Sequence, residues 1–188
     1  MLGDSNQEAG ALRAELERLH ARVAELEQLA DTDTLTPLAN RRAFMRELDR
    51  AIAAAGRHGT PAVVMFVDID RLKRVNDSWG HASGDAVLLH VAAVLSREVR
   101  ATDVVARIGG DEFGLLLTHL DPEAAGTKAR ALARAASENT PRLSDGMRIP
   151  VQLSIGWSAV RAEDDAATLL AKADRQMYAD RAQRADRD

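Results

Sequence analysis

The sequence contains no cysteine. Disulfides, thiolate metal sites and cysteine nucleophiles are therefore excluded, and this usage suits the cytoplasm, where the chain is expected to reside. Aromatics are scarce at 3% of 188 residues, so any core must be built from Ala, Val, Leu and Ile. Hydrophobic residues still make up 46%, and the length suffices for one domain of ordinary size plus an appendage. Positive charge is not in excess. A formal net charge of −4 gives no reason to expect nucleic acid as a partner. The longest apolar run, Ala62 to Val67, is far too short to span a bilayer. Residues 1–10 lack a basic start followed by an apolar stretch, so neither a signal peptide nor a membrane segment is expected in this chain.

What is present is concentrated at Arg107-Ile108-Gly109-Gly110-Asp111-Glu112-Phe113. Val104-Val105-Ala106 precedes the glycines and Phe113-Gly114-Leu115-Leu116-Leu117 follows, so the pattern predicts a hairpin. Its turn is expected to use φ > 0, which glycine adopts without strain. A tip without side chains lets a phosphate approach backbone N–H groups, while Asp111 and Glu112 offer hard oxygens to a divalent cation. An isolated Gly-Gly-Asp-Glu would more simply be a solvated turn. The rest of the chain argues otherwise.

Residues 11–30 differ in character from everything after them. Leu12, Leu19 and Leu26 fall at d and Leu16, Val23 and Ala30 at a of a heptad, with Glu and Arg between. A narrow apolar stripe with charged flanks predicts a parallel two-stranded coiled coil rather than a helix lying on its own domain. Fewer than three full heptads are marginal alone, so residues 1–30 read as the end of a longer signalling helix. Pro37 lies in a break over Asp31 to Leu38. Helix is then predicted over 40–55, stopping near Gly56 and Gly59, and a buried strand over 61–69. A polar loop over 70–83, helix over 85–99 and the hairpin strands at 104–108 and 113–118 follow. Helix from Pro122 to Ser137, strand over 151–160 and helix over 164–181 complete the chain. The order after residue 60 is β-α-β-β-α-β. An α+β, ferredoxin-like βαββαβ core with an antiparallel central sheet and additional helices is therefore expected over 31–188.

The strand ending at Ile69 delivers Asp68 and Asp70, which alternation places on one face. One such carboxylate and another at the hairpin tip can share Mg²⁺, an arrangement suited to phosphoryl or nucleotidyl transfer. Taken alone, Asp-x-Asp after a strand as often caps the next helix.

Together these segments resemble the GGDEF domain of bacterial diguanylate cyclases. Asp33-x-Leu35-Thr36-x-Leu38-x-Asn40-Arg41-Arg42 is similar to the family's opening motif. Val67-Asp68-Ile69-Asp70, Lys73, Asn76-Asp77, Gly80-His81 and Gly84-Asp85 match its long central motif in order and spacing. Arg107 and Gly109 to Phe113 match the name-giving motif, and Ser154-Ile155-Gly156 the late strand. The resemblance covers about residues 31–181.

That resemblance implies a Mg²⁺ site (Mn²⁺ as substitute) on Asp68, the Ile69 carbonyl and Asp111, assisted by Glu112. Asp111 would also help deprotonate the 3′-hydroxyl of GTP. Asn76 and Asp85 would recognise guanine, Lys73 would approach the triphosphate, and Gly109-Gly110 would let the backbone reach the phosphates. Arg100 and Asp103 match an R-x-x-D inhibitory site for the product, cyclic di-GMP, with five residues between Asp103 and Gly109. A second Arg from the following helix is not evident, because Ala131 stands where it is expected; Lys128, Arg130 and Arg134 lie near. The chain departs from the family at Arg71-Leu72, where a Phe is usual, and in the closing motif. There Arg181 replaces a Lys that binds phosphate, and Arg184-Ala185-Asp186 replaces Gly-Arg-Asn.

Two functions of different classes follow. One is a diguanylate cyclase that condenses two GTP into cyclic di-GMP and two pyrophosphates as a Mg-dependent homodimer joined by the heptad helix, below a sensor domain preceding residue 1. The other is a catalytically weak or inactive module that binds cyclic di-GMP or GTP and relays it.

Overall fold

The computed structural model describes residues 13, 15–19, 22, 30–138, 140–142, 146 and 148–185, the last four of these without their side chains. The chain divides into two units, Met1–Thr32 and Asp33–Asp188. In the first, residues 13, 15–19, 22, 30 and 31 are helical. Leu16 and Leu19 are 57% and 53% exposed there, and Arg18 pairs with Glu15 at 2.8 Å. The other heptad positions of the predicted coiled coil at 12, 23 and 26 lie outside the described residues.

In the second unit the elements are β1 (Ala39–Asn40), α1 (Arg41–His58), β2 (Ala62–Ile69), α2 (Leu72–Trp79), α3 (His81–Arg97), β3 (Val104–Arg107), β4 (Glu112–Thr118), a 3₁₀ turn at Pro122–Ala124, α4 (Ala125–Glu138), β5 (Leu153–Ala159) and α5 (Ala166–Ala185). The sheet order is β1-β3-β4-β2-β5. β3, β4, β2 and β5 pair antiparallel, which gives the expected centre. β1 lies parallel to β3, however, so the sheet is mixed rather than purely antiparallel. This edge strand falls between the expected helix break over 31–38 and the helix expected from residue 40, and two residues are too few to show alternation.

Two more expectations are corrected. The polar loop over 70–83 contains α2, whose apolar side is only Leu72 and Val75, both buried. Polar residues on the other positions before Trp79 conceal two helical turns from a periodicity search. The first helix also runs through Gly56 and ends at Gly59, whose N–H reaches the Ala55 carbonyl at 3.0 Å. Its start is set by Asn40, whose side chain accepts from the Ala43 N–H at 3.1 Å.

β2 shows why this sheet is the spine of the unit. All eight of its residues are buried, with helices on both faces. Val63, Met65, Val67 and Ile69 join the core beneath α3 and α4, while Ala62, Val64 and Phe66 join the core beneath α1 and α5. α5 lies so close to β5 that a Cβ on Gly156 would overlap the Ala173 carbonyl oxygen and the Met177 nitrogen. That close approach brings Arg181 of α5 over the end of β2.

Candidate active site

Strand register creates the central feature. Asp68 is the seventh residue of β2, directly opposite Glu112 of β4 on one side and Ser154 of β5 on the other. The Ile69 N–H donates to the Asp111 carbonyl at 3.1 Å, so the hairpin tip is tied to the end of β2. Like charges directly opposite in an antiparallel pair are destabilising, and this pair is joined by Asp111 and Asp70. Burial, followed by the charge of Asp111, pushes the Asp68 carboxyl up to about 6; Asp70 and Glu112 add to this and Arg181 opposes it. Glu112 is raised too, by burial and then by Asp111 and Asp174, with Arg41 pulling the other way. Arg181 donates to Asp68 at 3.0 Å and lies 3.4 Å from the Asp70 carboxylate, which also accepts from the Ser154 hydroxyl at 2.8 Å.

Among the described residues, no three His, Asp or Glu side chains converge into a ready metal cluster. The chemistry of the donor set nonetheless fits a hard divalent cation. Asp68, Asp111 and Glu112 are all oxygen donors, and their mutual repulsion is what a cation would relieve.

Lys73 and Asn76 on α2, Asp85 on α3, and Gly110 and Asp111 at the hairpin line one cavity of about 330 Å³, with His81 and Arg107. The structure thus gathers Lys73, Asn76, Asp85, Gly110 and Asp111. Glu112 points elsewhere, into a cavity it shares with Arg41 and Asp174. Asp68 and Arg181 pair at the sheet end between these two groups.

The hairpin forms, but not by the expected turn. Neither Gly109 nor Gly110 has positive φ. The Ile108 and Gly109 N–H groups both reach the Glu112 carbonyl, at 2.9 and 3.2 Å, so the loop is wider than a two-residue turn and needs no left-handed residue. Glycine at 109 has a different effect: it leaves the space that the Glu112 carboxylate occupies, which a Cβ there would meet. Sequence reasoning also gave Arg107 no role. Its guanidinium donates to the Gly110 carbonyl at 2.7 and 3.2 Å and to Asp33 at 3.3 Å. Asp33 in turn accepts from the Leu35 and Thr36 N–H groups and the Thr36 hydroxyl. Burial alone would raise the Asp33 carboxyl, but the Thr36 hydrogen bonds and Arg107 outweigh it and hold it below its ordinary value. Arg41 of α1 reaches the Ile108 carbonyl at 3.4 Å. An Arg two residues before Gly-Gly and the opening motif that holds Asp33 and Arg41 were the available signals for this clasp; Asp174 had none.

Arg100 and Asp103 stand apart from these groups, at a cavity of about 280 Å³. Asp103 accepts from the Arg100 N–H at 2.9 Å and from the Thr118 N–H at 3.0 Å, so its carboxylate braces the turn before β3. Lys128 of α4 lines the same cavity and donates to the Glu98 carbonyl.

The family model described as diguanylate cyclase, GGDEF domain, matches residues 30–187. The diguanylate cyclase TpbB of Pseudomonas aeruginosa UCBPP-PA14 is 40% identical over 185 residues, which is 94% of this chain and 42% of TpbB. The probable diguanylate cyclase DgcT of Escherichia coli K12 is 40% identical over 141 residues, 73% of this chain and 30% of DgcT. The chain therefore spans less than half the length of these relatives. Its structure is similar to that of the coiled coil and GGDEF domain of DgcB from Caulobacter crescentus in complex with c-di-GMP. The TM-score is 0.84 and the identity 30%, covering 95% of this chain and 94% of that one. With this match running through the hairpin, the end of β2 and the α2–α3 cavity, the chain belongs to the GGDEF-domain family of diguanylate cyclases.

Proposed function

We propose that the chain is a diguanylate cyclase domain that converts two GTP into cyclic di-GMP and two pyrophosphates. The observation that carries this reading is the strand register that sets Asp68 opposite Glu112 and ties Asp111 to the end of β2, with Asp111 lining a cavity it shares with Lys73, Asn76 and Asp85. Asn76 and Asp85 bind the guanine edge, Asp85 accepting from N1–H and the exocyclic amine. Lys73 and Arg181 hold the triphosphate, and the Gly109-Gly110 backbone approaches it. Asp68, the Ile69 carbonyl and Asp111, with Glu112, would hold Mg²⁺, for which Mn²⁺ can substitute. Such an ion, when bound, offsets phosphate charge and lowers the pKa of the attacking hydroxyl.

Each 3′-oxygen forms a bond to the α-phosphorus of the facing GTP as the α–β phosphoanhydride bond breaks, and pyrophosphate leaves with the released charge. Asp111 would take the hydroxyl proton and pass it to solvent. Since each domain holds one GTP, two must face each other. The exposed Leu16 and Leu19 support a dimer through the heptad helix, below a sensor domain preceding residue 1. Arg100 and Asp103, with Lys128 in place of the missing second Arg, form the site of product inhibition by cyclic di-GMP.

One observation favours the binding-module alternative: Arg181 occupies Asp68 and Asp70 and competes with a cation for them. Incubation with GTP and Mg²⁺, followed by chromatography of the nucleotides, separates the two. Cyclic di-GMP from the parent and none from Asp111→Ala is the expected result. No product from a parent chain that still binds GTP would favour the module.

A further inference from the structure

A cavity of about 540 Å³, larger than the one holding Lys73 and Asn76, opens on another face of α2. Helix geometry divides the side chains between them. Lys73 and Asn76, three apart, share one face, while Arg71, Arg74, Val75 and Trp79 recur along the other. The floor of the larger cavity is Ile149-Pro150-Val151, with Ile149 and Val151 buried. Its volume falls within the roughly 300–1,000 Å³ of small-molecule sites.

The charge in this cavity is uncompensated. The Arg71 and Arg74 guanidiniums make no ion pair or side-chain hydrogen bond among the described residues. Asp70, the acid in the lining, is already held by Arg181 and Ser154. Arg71 also has φ 61, a left-handed conformation costly for a long side chain and maintained where the surroundings demand it. At the other end of α2 the Trp79 indole is 42% exposed. At 1.5 Å rise per residue, Arg74 and Trp79 stand about 7–8 Å apart along the helix, the reach of a ring carrying one anionic group.

We infer that this cavity binds a small aromatic anion, with its phosphate or sulfonate between Arg71 and Arg74 and its ring against Trp79 and the Ile149-Pro150-Val151 floor. Guanidinium forks match tetrahedral oxyanions, and the indole adds apolar area with an N–H at its edge. The site does not depend on the proposed cyclase activity, because it lies across α2 from the nucleotide cavity and is read out by binding alone.

The test uses 1-naphthyl phosphate on the full chain, followed through the indole N–H signals of its two tryptophans by ¹H–¹⁵N NMR. Trp79→Phe assigns them. A saturable shift of the Trp79 signal with Trp157 unmoved is expected. Arg74→Glu and the shape-preserving Arg74→Gln should each weaken binding by about tenfold or more, as should replacing the probe with inorganic phosphate or 1-naphthol. Lys73→Ala, on the other face of the same helix, should leave affinity unchanged. The inference is overturned if Trp79 does not respond, if both Arg74 variants bind like the parent, or if Lys73→Ala weakens binding as much as they do.

Discussion

At Asp68 the register of two strands forces a carboxylate against Glu112, near Asp111 and Asp70, with Arg181 as the opposing cation. The consequence for stability has a definite sign. Its folded-state pKa of about 6 lies above the ordinary 3.8, so the ionised form is disfavoured in the fold. The associated stability is complete below about pH 4 and is lost as pH rises through about 6. At neutral pH without divalent cation the charge is thus a net cost, on the order of 1–2 kcal/mol once solvent screening is allowed for. Asp68→Asn should therefore raise the melting temperature at pH 7.5 in chelator and lose that advantage near pH 4. The proposed Mg²⁺ site predicts that the ion stabilises the parent and that this variant loses the effect. Melting curves across pH 4–8 with and without Mg²⁺ check both; a variant less stable than the parent at pH 7.5 would show that the Arg181 ion pair outweighs the carboxylate repulsion.

Among the elements, α5 has the most demanding fit. It delivers Arg181 to Asp68 only because Gly156 lets its backbone rest on β5. In Gly156→Ala the new methyl meets main-chain atoms of Ala173 and Met177, which cannot swing aside as a flexible side chain would. We expect a loss of about 3 kcal/mol, the upper end for overpacking, from displacement of the helix. Urea denaturation measures it, and a loss below about 0.5 kcal/mol would mean that α5 slides without cost. The clasp of Arg107 on Gly110 and Asp33 is also an element-level device, since it joins the segment entering β1 to the hairpin tip. Both partners occupy motifs visible in the sequence, yet the bond between them spans 74 positions.

For the whole molecule, the proposed reaction requires two copies, because a single site of this kind holds one of the two nucleotides. Leu19 and Leu26 fall at d of the heptad, so Leu19→Lys with Leu26→Lys would place like charges along the seam and separate the chains. The expected result is a monomer that binds one GTP and whose specific activity falls steeply on dilution. Light scattering alongside a dilution series tests this. A monomer as active per chain as the parent would refute the two-half-site mechanism itself, not merely the coiled coil. No described helix is long and apolar enough to cross a membrane.

Much of this protein was determined locally and was legible in the sequence. Unbroken apolar runs announced β2 and the hairpin strands, Asn40 and Ala43 set a helix start through a bond three residues long, and the spacing of motifs identified the family. These features depend on neighbours a few positions away, and a linear reading captures them. The two-residue β1 and the eight-residue α2 escaped because neither is long enough to display a period. The geometry of the hairpin turn escaped because the Ile108 and Gly109 N–H groups converge on Glu112, a choice made by the paired strands rather than by the glycines. Tertiary structure alone decided that Arg181 rests on Asp68, that Glu112 faces Asp174 and Arg41 while Asp111 faces Lys73, and that α2 separates two cavities. Each depends on which face of the sheet a helix covers and how closely it lies, and those distances are set by packing between residues up to 113 positions apart.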